Sequence, residues 1–122
     1  MPRRGEVYYP TTVLPPGTPT KHMVVLVSPT AQLQNAQKSF VSVVLIRSVA
    51  DPLTGAVRPL GPMGHAFRIT PKQCPFLRHD SIIETHQLLA LPLQELIPLR
   101  PEGSIPDDVL DKVLESIRRL FT

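Results

Sequence analysis

Fifteen prolines against six glycines limit this chain more than any other feature. A proline inside a helix removes a backbone hydrogen bond and clashes with the preceding turn. A 122-residue chain punctuated this densely therefore reads as short strands joined by stiff turns. The strand candidates are GEVYY (5–9), HMVVLVSP (22–29), FVSVVLIRS (40–48), HAFRIT (65–70) and DSIIETHQLLAL (80–91). The third is rich in β-branched residues, and the fourth alternates Phe67 and Ile69 with Ala66, Arg68 and Thr70, as a half-buried strand should. The fifth is expected to turn at Pro92, with a further turn and short strand in PLQELIPL (92–99). Four prolines stiffen the loop at 10–20, and 49–64 forms a long Pro/Gly-punctuated connection.

The end of the chain differs in kind. In SIPDDVLDKVLESIRRLF (104–121), Val109, Leu110, Val113, Leu114, Ile117, Leu120 and Phe121 recur at helical spacing. Ser104 is a candidate N-cap, with Asp107 as the reciprocal half of a capping box and Pro106 in the first turn. Acids lead and Arg118 and Arg119 trail, as the helix dipole favours. The expected architecture is α+β: one domain over 1–122, several short antiparallel strands closing into a small barrel-like fold, with a C-terminal amphipathic helix packed at the end.

Charge is unevenly spread. Residues 1–79 carry a balance of +7 and residues 80–122 a balance of −4, within a net charge of +3. A basic body of this kind suits a polyanion such as nucleic acid, although any surface needs charge somewhere. One cysteine, Cys74, permits no internal disulfide and no metal-ligand cluster, and nothing near it in sequence activates a thiol. No apolar run is long enough to span a bilayer, and the basic start lacks the apolar stretch of a secretory signal. A reduced, cytoplasmic protein is expected. Phosphate-binding glycine loops, dinucleotide fingerprints and zinc spacings are absent from the sequence, so neither a metal nor a nucleotide cofactor is implied.

Taken in order, RRGEVYY (3–9), KHMVVLVSP (21–29), FVSVVLIRS (40–48) and LRHDSIIETHQLLAL (77–91) resemble the successive motifs of the PemK/MazF-like toxins of type II toxin–antitoxin systems. The terminal helix also has its counterpart there, so the resemblance spans nearly the whole chain. It implies an SH3-like barrel that forms a homodimer and cuts single-stranded mRNA without a metal. It also implies a cognate antitoxin as protein partner. In that chemistry the ribose 2′-OH attacks the adjacent phosphate, which needs a base, an acid and a cation for the phosphorane charge.

At the family's chemical positions the chain departs from the pattern. The strand-two Arg falls on His22, beside Lys21. The strand-three Thr falls on Arg47, with Ser48 kept. The fifth-strand motif becomes Glu84-Thr85-His86-Gln87, in which Gln87 is kept. The resemblance thus implies His22, Arg47 and His86 as catalytic residues and Lys21, Ser48, Glu84 and Gln87 as substrate contacts. An imidazole with an ordinary pKa near ~6.5 can exchange protons at neutral pH. The competing reading makes His22 strand-end punctuation and His86 a solvent-facing strand residue. The chain is then a non-catalytic relative that binds an antitoxin or another protein. Arg3 and Arg4 read as a solvated terminus, His65 and Arg68 as a solvated strand face, and Arg78-His79 as a turn. Of Tyr8 and Tyr9, one ring is expected in the core and the other is open to a stacked base.

Overall fold

The computed structural model describes residues 2–11, 22–29, 40–50, 54–56 and 65–121. Six strands run in chain order: β1 (Glu6–Tyr8), β2 (Met23–Leu26), β3 (Phe40–Ser48), β4 (Ala66–Ile69), β5 (Ser81–Pro92) and β6 (Gly103–Ser104). A 3₁₀ turn at Leu93–Glu95 precedes β6, and helix α1 (Asp107–Arg119) follows it. Among the described residues the strand pairs are all antiparallel, and the sheet has the order β4-β5-β3-β2-β1-β6. It is a curled half-barrel with α1 at the end of the chain, the α+β arrangement expected from the sequence.

Alternation along the strands builds two cores. On one face, Val7, Val25, Val44, Ile46, Ile69 and Ile83 pack with Val109 and Val113 of α1. On the other, Tyr8, Val24, Leu26, Val43 and Leu45 pack beneath Leu91, Leu93 and Leu96. A sheet covered on both faces explains why β2 and β3 read as near-continuous apolar runs instead of a simple alternation. Gly5 leads into β1 with φ +90°, a backbone region that L side chains avoid. Its N–H donates to Leu26 O at 2.7 Å, and its carbonyl accepts from Ile105 at 3.0 Å, tying β2 to the segment before α1.

β5 ends at Pro92 and a 3₁₀ turn follows at once, as expected, with Phe40 paired to Pro92 at the end of the ladder. Two expectations need correction. PLQELIPL holds the 3₁₀ turn and further turns, and the sixth strand lies at Gly103–Ser104, beside Glu6 and Val7. Ser104 is consequently a strand residue. The N-cap is Pro106, without a side-chain capping bond, so no capping box with Asp107 forms. Edge pairing with β1 took the residue that local capping rules assign to the helix. Leu120 and Phe121 lie beyond α1 and are exposed.

Candidate functional site

The site is set by an irregularity between the two longest strands. Val44 of β3 faces Leu88 of β5, but Leu45 faces Glu84. Three residues of β5, Thr85, His86 and Gln87, therefore have no opposite number on β3. Such bulges bend a strand and re-aim its side chains. The four-residue motif singled out in the sequence coincides with this bulge.

Beyond the bulge the ladder resumes, with Arg47 opposite Ile82 and Ser48 opposite Ser81. Arg47 follows Leu45 on its face of β3, and Glu84 lies opposite Leu45, so both side chains come to the same face. Arg47 Nη1 stands 3.6 Å from Glu84 Oε1, and His86 Nε2 stands 3.7 Å from Glu84 Oε2. The Glu84 side chain is 12% exposed, against 24% for each of the two basic side chains. A carboxylate thus sits between a guanidinium and an imidazole in a half-buried rim, where charges interact more strongly than in water. His86 Nδ1 lies 3.4 Å from the carbonyl oxygen of His65. A carbonyl only accepts, so that contact assigns the Nδ1 hydrogen to His86.

Among the described residues, two buried polar atoms here, Arg47 Nε and Gln87 Oε1, have no hydrogen-bond partner. The described residues leave that donor and that acceptor unused, an uncommon arrangement for buried polar groups.

Behind the bulge lies a polar cluster that the sequence reading missed. Thr85 and Ser116 are both fully buried, and their hydroxyl oxygens lie 2.5 Å apart. The Thr85 hydroxyl donates to His65 O at 3.1 Å, and His65 Nδ1 lies 2.7 Å from Ser116 Oγ. The Thr85 N–H also donates to His65 O, at 2.9 Å. His65 is therefore half-buried and engaged, not part of a solvated strand face. Its neighbour Arg68 is exposed, as expected, and pairs with Asp80 at 2.8 Å.

Not all the expected site residues gather together. Arg47, Glu84 and His86 do. His22 is half-buried at the mouth of β2, one residue ahead of Met23, which pairs with Ile46. Ser48 follows Arg47 directly and so points to the opposite face. Lys21, with most of the 10–21 and 49–64 connections, lies outside the described residues. Arg4 is no solvated terminus, since its Nε donates to Val27 O at 2.9 Å. Arg78 and His79 form an exposed bend, as expected. Tyr8 is buried and Tyr9 exposed. Burial, the nearby Glu6 charge and a 3.1 Å bond to Glu6 Oε1 push the Tyr8 phenol well above its ordinary range. Cys74 is wholly buried, and burial followed by the charge of Asp108 raises its thiol.

Among the described residues, no three His, Cys, Asp or Glu side chains cluster as a metal site would require. Nor is any helix among them long and apolar enough to cross a membrane. No family model and no curated protein matches the sequence. Solved structures do match in fold. An endoribonuclease in complex with its cognate antitoxin from a mycobacterial species superposes with a TM-score of 0.69 at 16% identity, covering 99% of this chain and 95% of that one. MazF from Deinococcus radiodurans superposes with a TM-score of 0.68 at 13% identity, over 98% and 96% of the two chains. A MazE–MazF complex from the same organism gives a TM-score of 0.66 at 14% identity, over 98% and 95%. The chain therefore has the fold that its resemblance to PemK/MazF-like toxins implies.

Proposed function

We propose that this chain is a PemK/MazF-like endoribonuclease of a toxin–antitoxin system, and that it cuts single-stranded RNA without a metal. The observation that carries this reading is the Arg47–Glu84–His86 group. It gathers a cation, an imidazole and a carboxylate at a half-buried bulge on a fold shared with proteins described as endoribonucleases. Arg47 holds the phosphate and offsets the charge of the phosphorane. A basic side chain removes the 2′-OH proton as the 2′-oxygen bonds to phosphorus. An acid then delivers a proton to the departing 5′-oxygen as the P–O5′ bond breaks. The products are a 2′,3′-cyclic phosphate and a 5′-hydroxyl. His86, with Glu84 beside it, supplies one proton-transfer group, and His22 at the mouth of β2 supplies the other. Lys21, Ser48 and Gln87 complete the substrate contacts.

The partners proposed are mRNA, a cognate antitoxin and a second copy of this chain. The test is cleavage of a long mixed-sequence RNA in EDTA by the parent protein and by His22→Ala, Arg47→Ala and His86→Ala variants. Cleavage at a short motif with cyclic phosphate ends, lost in the variants, supports the reading. Equal inertness in all four proteins overturns it.

One observation favours a second reading. Glu84 already partly neutralises Arg47, which suits a site that binds a protein instead of cutting RNA. Tight association with an antitoxin, without salt-sensitive RNA binding, would select that reading.

A further inference from the structure

At the same end of the sheet, the opposite face carries a second site. Alternation places Tyr9, Met23, Ser48 and Ser81 on one face, since Val7 and Val25 pair in the α1-side core, Met23 pairs with Ile46, and Ser48 pairs with Ser81. The segment Phe76–His79 and Glu102 complete the lining. Together they enclose a cavity of about 340 Å³, within the range of small-ligand sites. Tyr9 is 47% exposed, an unusual position for a large ring. Phe76 is half-buried and packs so closely on Gly103 that a side chain there would collide with the ring. That contact fixes one aromatic wall. The remaining lining is mixed, with two hydroxyls, the cationic Arg78, the imidazole of His79 and one carboxylate.

We propose that this cavity receives one guanine base of the bound RNA strand. The inference rests on the RNA-cutting reading and deepens it, by naming a base and the residues that read it. The physical case is the combination of groups. Aromatic faces hold a base by stacking, which is how single-stranded nucleic acid is commonly held. Arg78 and His79 lie at the exposed lip, where a phosphate of the same strand passes. Glu102 is the discriminating group. Guanine presents two adjacent N–H donors, N1–H and the N2 amine, and a carboxylate accepts both side by side. Cytosine and uracil present no such pair, and adenine presents an amine next to an acceptor. Strand β3 connects the two sites, because Arg47 serves one face and Ser48, the next residue, lines the cavity on the other. An RNA strand crossing the end of β3 thus meets the phosphate site and the base site in succession.

The experiment is calorimetric titration of the full chain with 2′-O-methyl heptanucleotides, which bind but cannot be cut by 2′-OH attack. One is all-uridine and one carries a single central guanine; GMP, AMP, CMP and UMP are titrated alongside. The guanine heptamer should bind about tenfold tighter than the uridine one, and Tyr9→Ala should remove most of that gain. Glu102→Gln should abolish the preference for guanine while keeping binding to bases in general. Equal affinity for both heptamers, or a preference untouched by Tyr9→Ala and Glu102→Gln, overturns the proposal. GMP binding without any gain in the heptamer also overturns it, since the cavity would then serve a nucleotide in solution. Cleavage assayed separately in EDTA keeps the two readings apart. A protein that prefers guanine but never cuts keeps the base site and loses the nuclease. One that cuts RNA with these variants unchanged in site choice keeps the nuclease and loses the base site.

Discussion

Ser116 of α1 and Thr85 of the β5 bulge bring their hydroxyl oxygens to 2.5 Å, both wholly out of solvent. With His65 they join the helix to the segment that presents Glu84 and His86. Ser116→Ala would leave the buried hydroxyl of Thr85 and the ring of His65 short of a partner, at a cost of about 1–3 kcal/mol. Thr85→Val should cost a similar amount. The double variant should lose clearly less than the two single losses together, because both remove one shared network. Urea unfolding of the three variants measures this, and simple additivity would show that the network is not cooperative.

Arg47→Ala should lower RNA cleavage by about two to three orders of magnitude, as the loss of a charge stabiliser does. It should also reduce the slope of log affinity against log salt by about one, since one phosphate contact disappears. Measuring binding across a salt series separates that loss from misfolding, which would flatten all binding.

Tyr8 provides a test of alkaline stability. Its phenol is held protonated in the fold above the ordinary value of 10.0. The unfolded chain releases that proton first. Stability from this group is therefore complete below about pH 10 and falls as pH rises beyond it, by about 1.4 kcal/mol per pH unit at most. Urea midpoints between pH 8 and 11 should show the decline, and Tyr8→Phe should flatten it. An equally steep decline in Tyr8→Phe would assign the effect to other groups.

Cys74 should behave as a core residue. Its burial and raised thiol predict no reaction with a thiol reagent in the native protein and a full single equivalent after unfolding. Rapid labelling in native buffer would contradict the burial of Cys74 with Leu77 and Ile105 in the α1-side core.

Gly5→Ala combines a backbone region hostile to L residues with a close neighbour, since the new Cβ would lie 3.2 Å from Leu110 Cδ2. A loss of about 1–2 kcal/mol is expected. Thermal unfolding reports it, with Leu110→Ala in the same background relieving only the contact part.

The sequence exposes those features whose signals are local. β3 is legible at its observed bounds, 40–48, because a β-branched run buried on both faces has no competing interpretation. Helix α1 showed itself through its apolar stripe, although Ser116 within that stripe drew no attention. A lone hydroxyl among Val113 and Ile117 gains meaning only when Thr85 arrives from another element. β6 contains two residues, too few for any periodicity, and its existence depends on β1. The bulge was equally hidden, because skipped pairing is a property of two strands and cannot be read from one. Arg47, Glu84 and His86 were named individually, yet their meeting depends on that skip. The cavity beside Tyr9 draws on the ends of β1, β2, β3 and β5 at once, and of its lining only Tyr9 and Ser48 stand out in the sequence as candidates for contact with RNA.

The junction of Arg47 and Ser48 has one further consequence. Consecutive residues of a strand belong to opposite sides, so shifting β3 by one position against β5 would exchange them. The guanidinium would enter the aromatic chamber, and the hydroxyl would replace it beside Glu84. Under the proposed RNA-cutting reading, the hydrogen-bonded ladder would act as a ruler, setting where along an RNA strand the cut falls relative to the base that is read. Cutting position would then be built into the main chain, and side-chain exchange alone would change which letter is read but not the distance from it to the break.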